Sequence, residues 1–217
     1  MNLVSVVDAA SQLGVSDRRV RAMLQANEIS GERVGRQWLV DAASLPAAVR
    51  RSGQPFSPRI AWALMEVADG HVPEWLGYSE LSRLRSRWRD LLEGGDPVDV
   101  LRSSLSRRAH RSRWSAPEPD GLFRDARFIA SGKSDPRAGI SATKFAEGYV
   151  HSDDLESLVR RHMLIPARGP ENVVLRAVDG PVPSPAPWLA VVADLSEGGA
   201  REKQQADILF KKEASLV

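Results

Sequence analysis

The chain has no cysteine among its 217 residues, which excludes a disulfide scaffold, a thiol nucleophile and any Cys-ligated zinc or iron–sulfur site. Long apolar runs are missing too. The longest, Ile60 to Met65 and Trp188 to Ala193, are six residues each, whereas a membrane span needs about 20. The start carries no basic n-region and Asp8 interrupts it, so it does not read as a signal peptide. The expectation is a soluble, cytoplasmic protein with no membrane partner. Lysine is absent before position 133, where every base is arginine, the cation that forks onto phosphate and guanine. Nucleotide bias in a GC-rich genome also produces such an excess, so charge hints at nucleic acid without showing it.

What is present is enough to fold. Apolar residues make up 42% of the chain and charged residues 27%, a balance that supports real cores rather than wholesale disorder. The net charge of +2 is unevenly spread: residues 1–114 hold 17 Arg against 13 acids, and residues 81–114 hold 9 Arg against 4. Pro, Gly and Ser clusters cut the chain at 52–58, 93–97, 115–120 and 179–187. The predicted fold class is α+β, in three parts: residues 1–51, a helical segment over 56–114, and an α+β domain over 121–217.

In the helical segment Ser57 caps a helix with Pro58 at its first position, and Gly70 stops it. Ser79 opens a second helix with Leu81, Leu84, Trp88 and Leu91 at helical spacing. Asp96 and Pro97 open a third, with Val98, Leu101 and Leu105 on one face. Beyond 120, Leu122 to Ile129 is a mixed apolar segment and 131–139 is rich in turns. Ser152 is predicted to cap a helix running from acidic residues to Arg160 and Arg161, in the order the helix dipole favours. Val173–Val178 and Trp188–Ala193 read as two strands, and Ala200–Lys212 as a final helix.

Residues 5–40 carry the strongest pattern. Ser5 and Asp8 make a capping box for a helix through Leu13, Gly14 allows a tight turn, and Ser16 caps a second helix to about Asn27. Ala9 and Ala10 are small where two helices must cross; Leu13, Val15, Val20, Met23 and Leu24 supply apolar contacts. With Val20, Met23 and Leu24 inward, Arg18, Arg21 and Gln25 share the outward face, with Arg19 to one side. Glu32–Val40 then places apolar residues on both sides of Gly35, as a two-stranded wing would, and Asp41 can cap a third helix.

Over residues 3–50 this segment resembles the winged helix-turn-helix of excisionase and MerR-like proteins. The resemblance implies a second helix in the major groove of double-stranded DNA. Ser16, Arg18, Arg19, Arg21 and Gln25 would make contacts from it, and Arg33, Arg36 and Gln37 would touch backbone or minor groove from the wing. Trp38 is expected to pack the wing onto the helices. A plain helical hairpin that binds protein is the competing reading.

A second resemblance rests on Phe56-Ser-Pro-Arg-Ile-Ala-Trp-Ala-Leu64, Phe128-Ile-Ala-Ser-Gly-Lys-Ser-Asp-Pro-Arg-Ala-Gly-Ile-Ser-Ala142, Glu147-Gly-Tyr-Val150, Asp154–His162 and Asn172-Val-Val-Leu-Arg176. In this order, over 56–210, they resemble the C-terminal region of AbiEi-type antitoxins from actinobacteria. That resemblance implies an autoregulator that represses its own operon and counteracts a nucleotidyltransferase-type toxin. The alternatives are an excisionase-like architectural DNA-binding protein and a general transcriptional regulator.

No catalytic machinery is predicted. Gly-x-Ser-x-Gly is absent. Ser131-Gly-Lys-Ser134 lacks the earlier glycine and following helix of a phosphate loop, and Asp135-Pro136 breaks the chain there. His151, Asp153, Asp154 and His162 have metal-ligand residue types, but one helix cannot bring them round an ion. The expectation is therefore no enzyme, no cofactor and no metal. The run from Arg102 to Trp114 remains, with Arg107, Arg108, Arg111 and Arg113 as candidate secondary contacts to phosphate or to an acidic partner. A solvated, frayed helix end with Trp114 in the core is the competing reading.

Overall fold

The computed structural model describes residues 3–13, 15–26, 28–35, 37–45 and 55–216. The chain divides into two compact units, Met1–Ser52 and Gly53–Val217. Gly14, Arg36 and Asn27 lie outside the described residues, as do residues 52–54 of the break at 52–58.

The first unit runs β1 (Leu3–Ser5), α1 (Val6–Leu13), α2 (Asp17–Gln25), β2 (Gly31–Val34) and β3 (Gln37–Asp41). Its sheet is antiparallel, in the order β1-β3-β2. Strand β1 was not foreseen in the sequence. Ser5 caps α1, its Oγ accepting from the Asp8 amide at 3.1 Å, but the reciprocal half of the expected capping box is replaced: the Asp8 carboxylate accepts from the Ser5 hydroxyl at 2.7 Å rather than from the Ser5 amide. Ala9 and Ala10 are buried with Val6, Leu13, Val20, Leu24, Ile29 and Val40, and Trp38 packs against this core. Asp41 caps only a 3-10 turn, Ala42–Ser44, rather than a full helix among the described residues.

The second unit begins with three helices: α3 (Pro58–Ala68), α4 (Tyr78–Glu93) and α5 (Pro97–Ser104). They start as their sequences dictate. Ser57 and Asp96 cap α3 and α5, each followed by proline in the first turn. Gly77 is the N-cap of α4, with Glu80 accepting from its amide at 3.4 Å, so the helix begins one residue before Ser79. Then come β4 (His110–Ser115), β5 (Ile129–Ala130), β6 (Ala146–His151), α6 (Ser152–Arg161), β7 (Ile165–Pro166), β8 (Val173–Val178), α7 (Trp188–Ser196) and α8 (Ala200–Ala214). The mixed segment before β5 is a 3-10 turn, Pro119–Arg124. His151, not Ser152, is the N-cap of α6: its ring nitrogen accepts from the Asp153 amide at 3.3 Å.

The five-stranded sheet has the order β5-β6-β8-β4-β7, with β6 and β8 parallel and joined through α6, and the other pairs antiparallel. Side chains alternate across a strand, so the sheet has two buried faces. Ala146, Val150, Val173, Leu175 and Ala177 meet Leu158 of α6, Leu122 and Phe128 on one. Tyr149 and Val178 belong to the other core, built on α3, α4, α5, α7 and α8.

Two sequence expectations are corrected here. Trp188–Ala193 is not a strand but the start of α7, and all nine residues of that helix are buried. It packs against α3, α5 and α8. A helix enclosed on every side needs no polar face, and so loses the periodicity that would distinguish it from a buried strand. For the same reason 56–114 and 121–217 are not separate domains: Leu64, Leu84 and Leu101 share one core with Leu189, Val191 and Phe210. The α+β class holds for the chain. No helix among the described residues is long and apolar enough to cross a membrane.

Candidate nucleic-acid interface and a buried ionic centre

In the first unit the inward turn of Val20 and Leu24 fixes what faces out. Arg18, Arg21 and Gln25 are exposed along α2, with no salt bridge to the two arginines among the described residues. Arg19 is also exposed but is tied, Nη2 to Glu28 Oε2 at 3.2 Å. Ser16 is the cap itself, its Oγ accepting from the Arg19 amide at 3.4 Å. Beyond the helix, β2 and β3 turn at Gly35; Arg33 is exposed opposite Trp38, and Gln37 is exposed opposite Val34. Arg36 lies outside the described residues. The unit thus brings together three polar side chains of one helix face and offers two more on a hairpin.

The candidate run in the second unit divides. Helix α5 ends at Ser104, and residues 110–115 are strand β4 rather than a frayed helix end. Arg107 is exposed. Arg111 and Arg113 are exposed but lie near acids, 3.7 Å from Glu197 and 3.6 Å from Glu171. Arg108 is 2% exposed and cannot touch DNA or a partner surface. This candidate is withdrawn.

Arg108 instead belongs to a buried ionic centre that sequence reasoning missed. Glu147 and Tyr149 point from β6 toward the helical layer, Arg176 does so from β8, and Asp194 and Glu197 come from the end of α7. Arg108 donates to Asp194, to Tyr149 Oη at 2.8 Å and to the Leu105 carbonyl at 2.9 Å, and pairs with Glu197 at 2.8 Å. Arg176 meets Glu147 at 2.7 Å, Asp194 at 2.9 Å and Glu197 at 2.9 Å. Asp194 also accepts from Tyr149 Oη at 3.0 Å and from Ser131 Oγ. No buried side-chain polar atom among the described residues is left without a partner. Burial raises the Glu147 carboxyl above its ordinary value against the pull of Arg176. Burial opposes the charge on Arg176, but Asp194 and Glu147 outweigh it and hold the guanidinium above its usual range. A cleft of about 260 Å³, with Arg111, Lys133, Glu171 and Glu202 among its walls, opens the centre to solvent.

Chemically this is a fully paired, buried salt-bridge network in which the Ser131 and Tyr149 hydroxyls both donate to Asp194. Ser131-Gly-Lys-Ser134 contributes to it: Gly132–Ser134 is a 3-10 turn in which the Lys133 amide donates to Glu147 at 3.0 Å. Among the described residues no three His, Asp or Glu side chains are placed to hold a metal ion. His162, from the set with ligand-type residues, donates instead to Asp125 at 3.0 Å.

Asp125 gives a pH-dependent prediction. Arg127 grips it through Nε at 2.9 Å and Nη2 at 2.6 Å, and with His162 and the Arg127 amide holds its carboxyl well below the usual range. A depressed carboxylate contributes stability that is complete above its unfolded value and lost as pH falls toward the folded one. Asp125→Asn is therefore expected to melt lower than wild type at neutral pH, with the gap narrowing below pH of about 4. Thermal melts across pH test this, and a gap that stays constant into strong acid would discount the ion pair. No protein-family model, curated protein or solved structure matches the chain.

Proposed function

We propose that the chain is a DNA-binding regulator whose first unit is a winged helix-turn-helix, and that it acts as the antitoxin of a toxin–antitoxin pair. The observation that carries the DNA reading is the exposed face of α2, where Arg18, Arg21 and Gln25 stand clear beside a short hairpin presenting Arg33 and Gln37. A helix of this kind seats its outward side chains against base edges, and the hairpin lies along the backbone. The likeness of residues 56–210 to AbiEi-type antitoxins supports the second half of the proposal. In this reading the protein occupies its own operator, and the second unit counteracts a nucleotidyltransferase-type toxin; the protein is not itself an enzyme.

Selecting duplexes from a randomised pool with the full-length protein tests the first half. One preferred sequence should be enriched. Arg18→Ala and Arg21→Ala should then each cost about 1–3 kcal/mol on it and relax the base preference. Arg19→Ala should cost less, because Glu28 already engages that guanidinium. An unenriched pool, or a double variant that keeps its preference, overturns the recognition helix. The second half is tested by co-expression with an adjacent nucleotidyltransferase gene. Growth arrest should be relieved by the chain and equally by the Arg18→Ala, Arg21→Ala variant; a harmless neighbour removes the antitoxin role.

A further inference from the structure

The excess of arginine over residues 81–114 has a different address from the run that first drew notice. Arg59 pairs with Glu80, Arg102 with Asp99, and Arg111 and Arg113 lie near acids, while Arg108 is buried. Arg107, exposed in the loop after α5, stands alone; Arg83, Arg85, Arg87 and Arg89 are left as a group, all on α4, all exposed, and none in a salt bridge among the described residues. Their placement follows from the inward stripe of Leu81, Leu84, Trp88 and Leu91. Arg85 and Arg89 form one exposed row and Arg83 and Arg87 another, each spaced by one helical turn. Ser82 and Ser86, also exposed, lie between the guanidiniums and bring hydroxyl donors without bulk. Arg87 is held in place over the Phe56 ring at 5.0 Å. Of the acids on α4, Glu80 is taken by Arg59, which leaves Asp90 and Glu93 toward the C-terminal end.

We infer that this face of α4 is a second nucleic-acid contact, gripping the phosphate backbone of double-stranded DNA without reading bases. The inference rests on the reading of the chain as a DNA-binding protein and gives the second unit a share in it. Six residues of helix span about 9 Å, a length over which a duplex carries about five phosphate charges. Four guanidiniums on two rows match that density. An acidic protein surface would also attract them, but a paired rim of opposite charges is the usual way a protein partner is specified, and this face carries arginine and serine.

The test is the salt dependence of affinity of the full chain for a long duplex of mixed sequence. Each phosphate contact contributes about 0.9 to the slope of log K against log salt. Gln at all four arginines is expected to lower the slope by about 2 or more and to weaken binding at least about tenfold. The variant that keeps Arg87 over Phe56, with Gln at 83, 85 and 89, should lower it by somewhat less, and Lys at all four should retain it. Unchanged slopes in both Gln variants overturn the α4 contact, whatever Arg18→Ala does. A lowered slope alongside an Arg18→Ala, Arg21→Ala variant that keeps its base preference upholds α4 and removes the recognition helix instead. A wild-type chain without salt-dependent affinity overturns both, and retention of an acidic protein by the wild type but not by the Gln variant would then mark α4 as a protein contact.

Discussion

Asp194→Ala is expected to destabilise the second unit by about 3–5 kcal/mol, because breaking a buried ion pair from one side leaves the other charge uncompensated. Here two guanidiniums are stranded together: Arg108 and Arg176 both lose the carboxylate between them, and Tyr149 and Ser131 lose their acceptor. Glu147 and Glu197 remain, but each is already engaged. Asp194→Asn keeps the shape and removes the charge, so it separates electrostatics from cavity and should retain most of the loss. Tyr149→Phe removes only a hydroxyl and should cost less, about 1–3 kcal/mol. Urea unfolding followed by tryptophan fluorescence suits the comparison, since five of the six tryptophans lie beyond Ser52. A midpoint for Asp194→Asn close to that of wild type would show that the network contributes little net stability.

The same centre makes Gly132→Ala the second large effect. Gly132 has φ of +55°, and a Cβ there would sit on the Glu147 carboxyl, 2.8 Å from Oε1. Glu147 cannot withdraw, because Arg176 holds one oxygen at 2.7 Å and the Lys133 amide holds the other at 3.0 Å. The left-handed backbone alone costs a residue with a side chain about 1–3 kcal/mol, and displacing a paired buried carboxylate adds to it, so the total is expected on the order of 3 kcal/mol or more. Gly139→Ala is the control. It shares the backbone conformation at φ of +62° but meets only the tip of Gln205 at 3.4 Å, so it carries the backbone cost alone. Equal losses at the two positions would sink the argument that Glu147 is immovable.

How much of this was legible in the sequence depended on whether the cause was local. Ser16, Ser57 and Asp96 are caps because each sits just before a helical apolar stripe, and that is written within four residues. The outward set of Arg18, Arg21 and Gln25 follows from the inward set by helical spacing alone. Helix α7 was misread because six apolar residues without a polar partner face suit a buried strand as well as a buried helix. Arg108 was misread because its neighbours Arg107, Arg111 and Arg113 are exposed, and the carboxylate that draws it in lies 86 positions away. A signal did exist. Arg176 stands in the middle of Val173–Val178, a run that reads as a buried strand, and a buried guanidinium demands carboxylates from elsewhere in the chain. Asking for its partners would have led to acids beside apolar runs, of which Asp194 is one. The α4 arginines were counted in the sequence but not placed, since only the paired arginines around them reveal which are free.

The enclosure of α7 sets an order on the birth of the protein. The first unit closes its core with residues up to about position 45, so it can fold while the ribosome is still adding the rest. The three helices that follow cannot complete theirs in the same way: their apolar faces are covered by α7 and α8, which are made later. For more than eighty residues of synthesis the nascent chain has only α3, α4 and α5 to pack on one another, and Leu64, Leu84 and Leu101 lack the Leu189, Val191 and Phe210 that complete their core. Contacts this distant in sequence also slow folding once the chain is complete. A stop codon between Ser52 and α8 would therefore release a product whose first unit is intact and whose remainder is unfolded, a state exposed to proteases from position 55 onward.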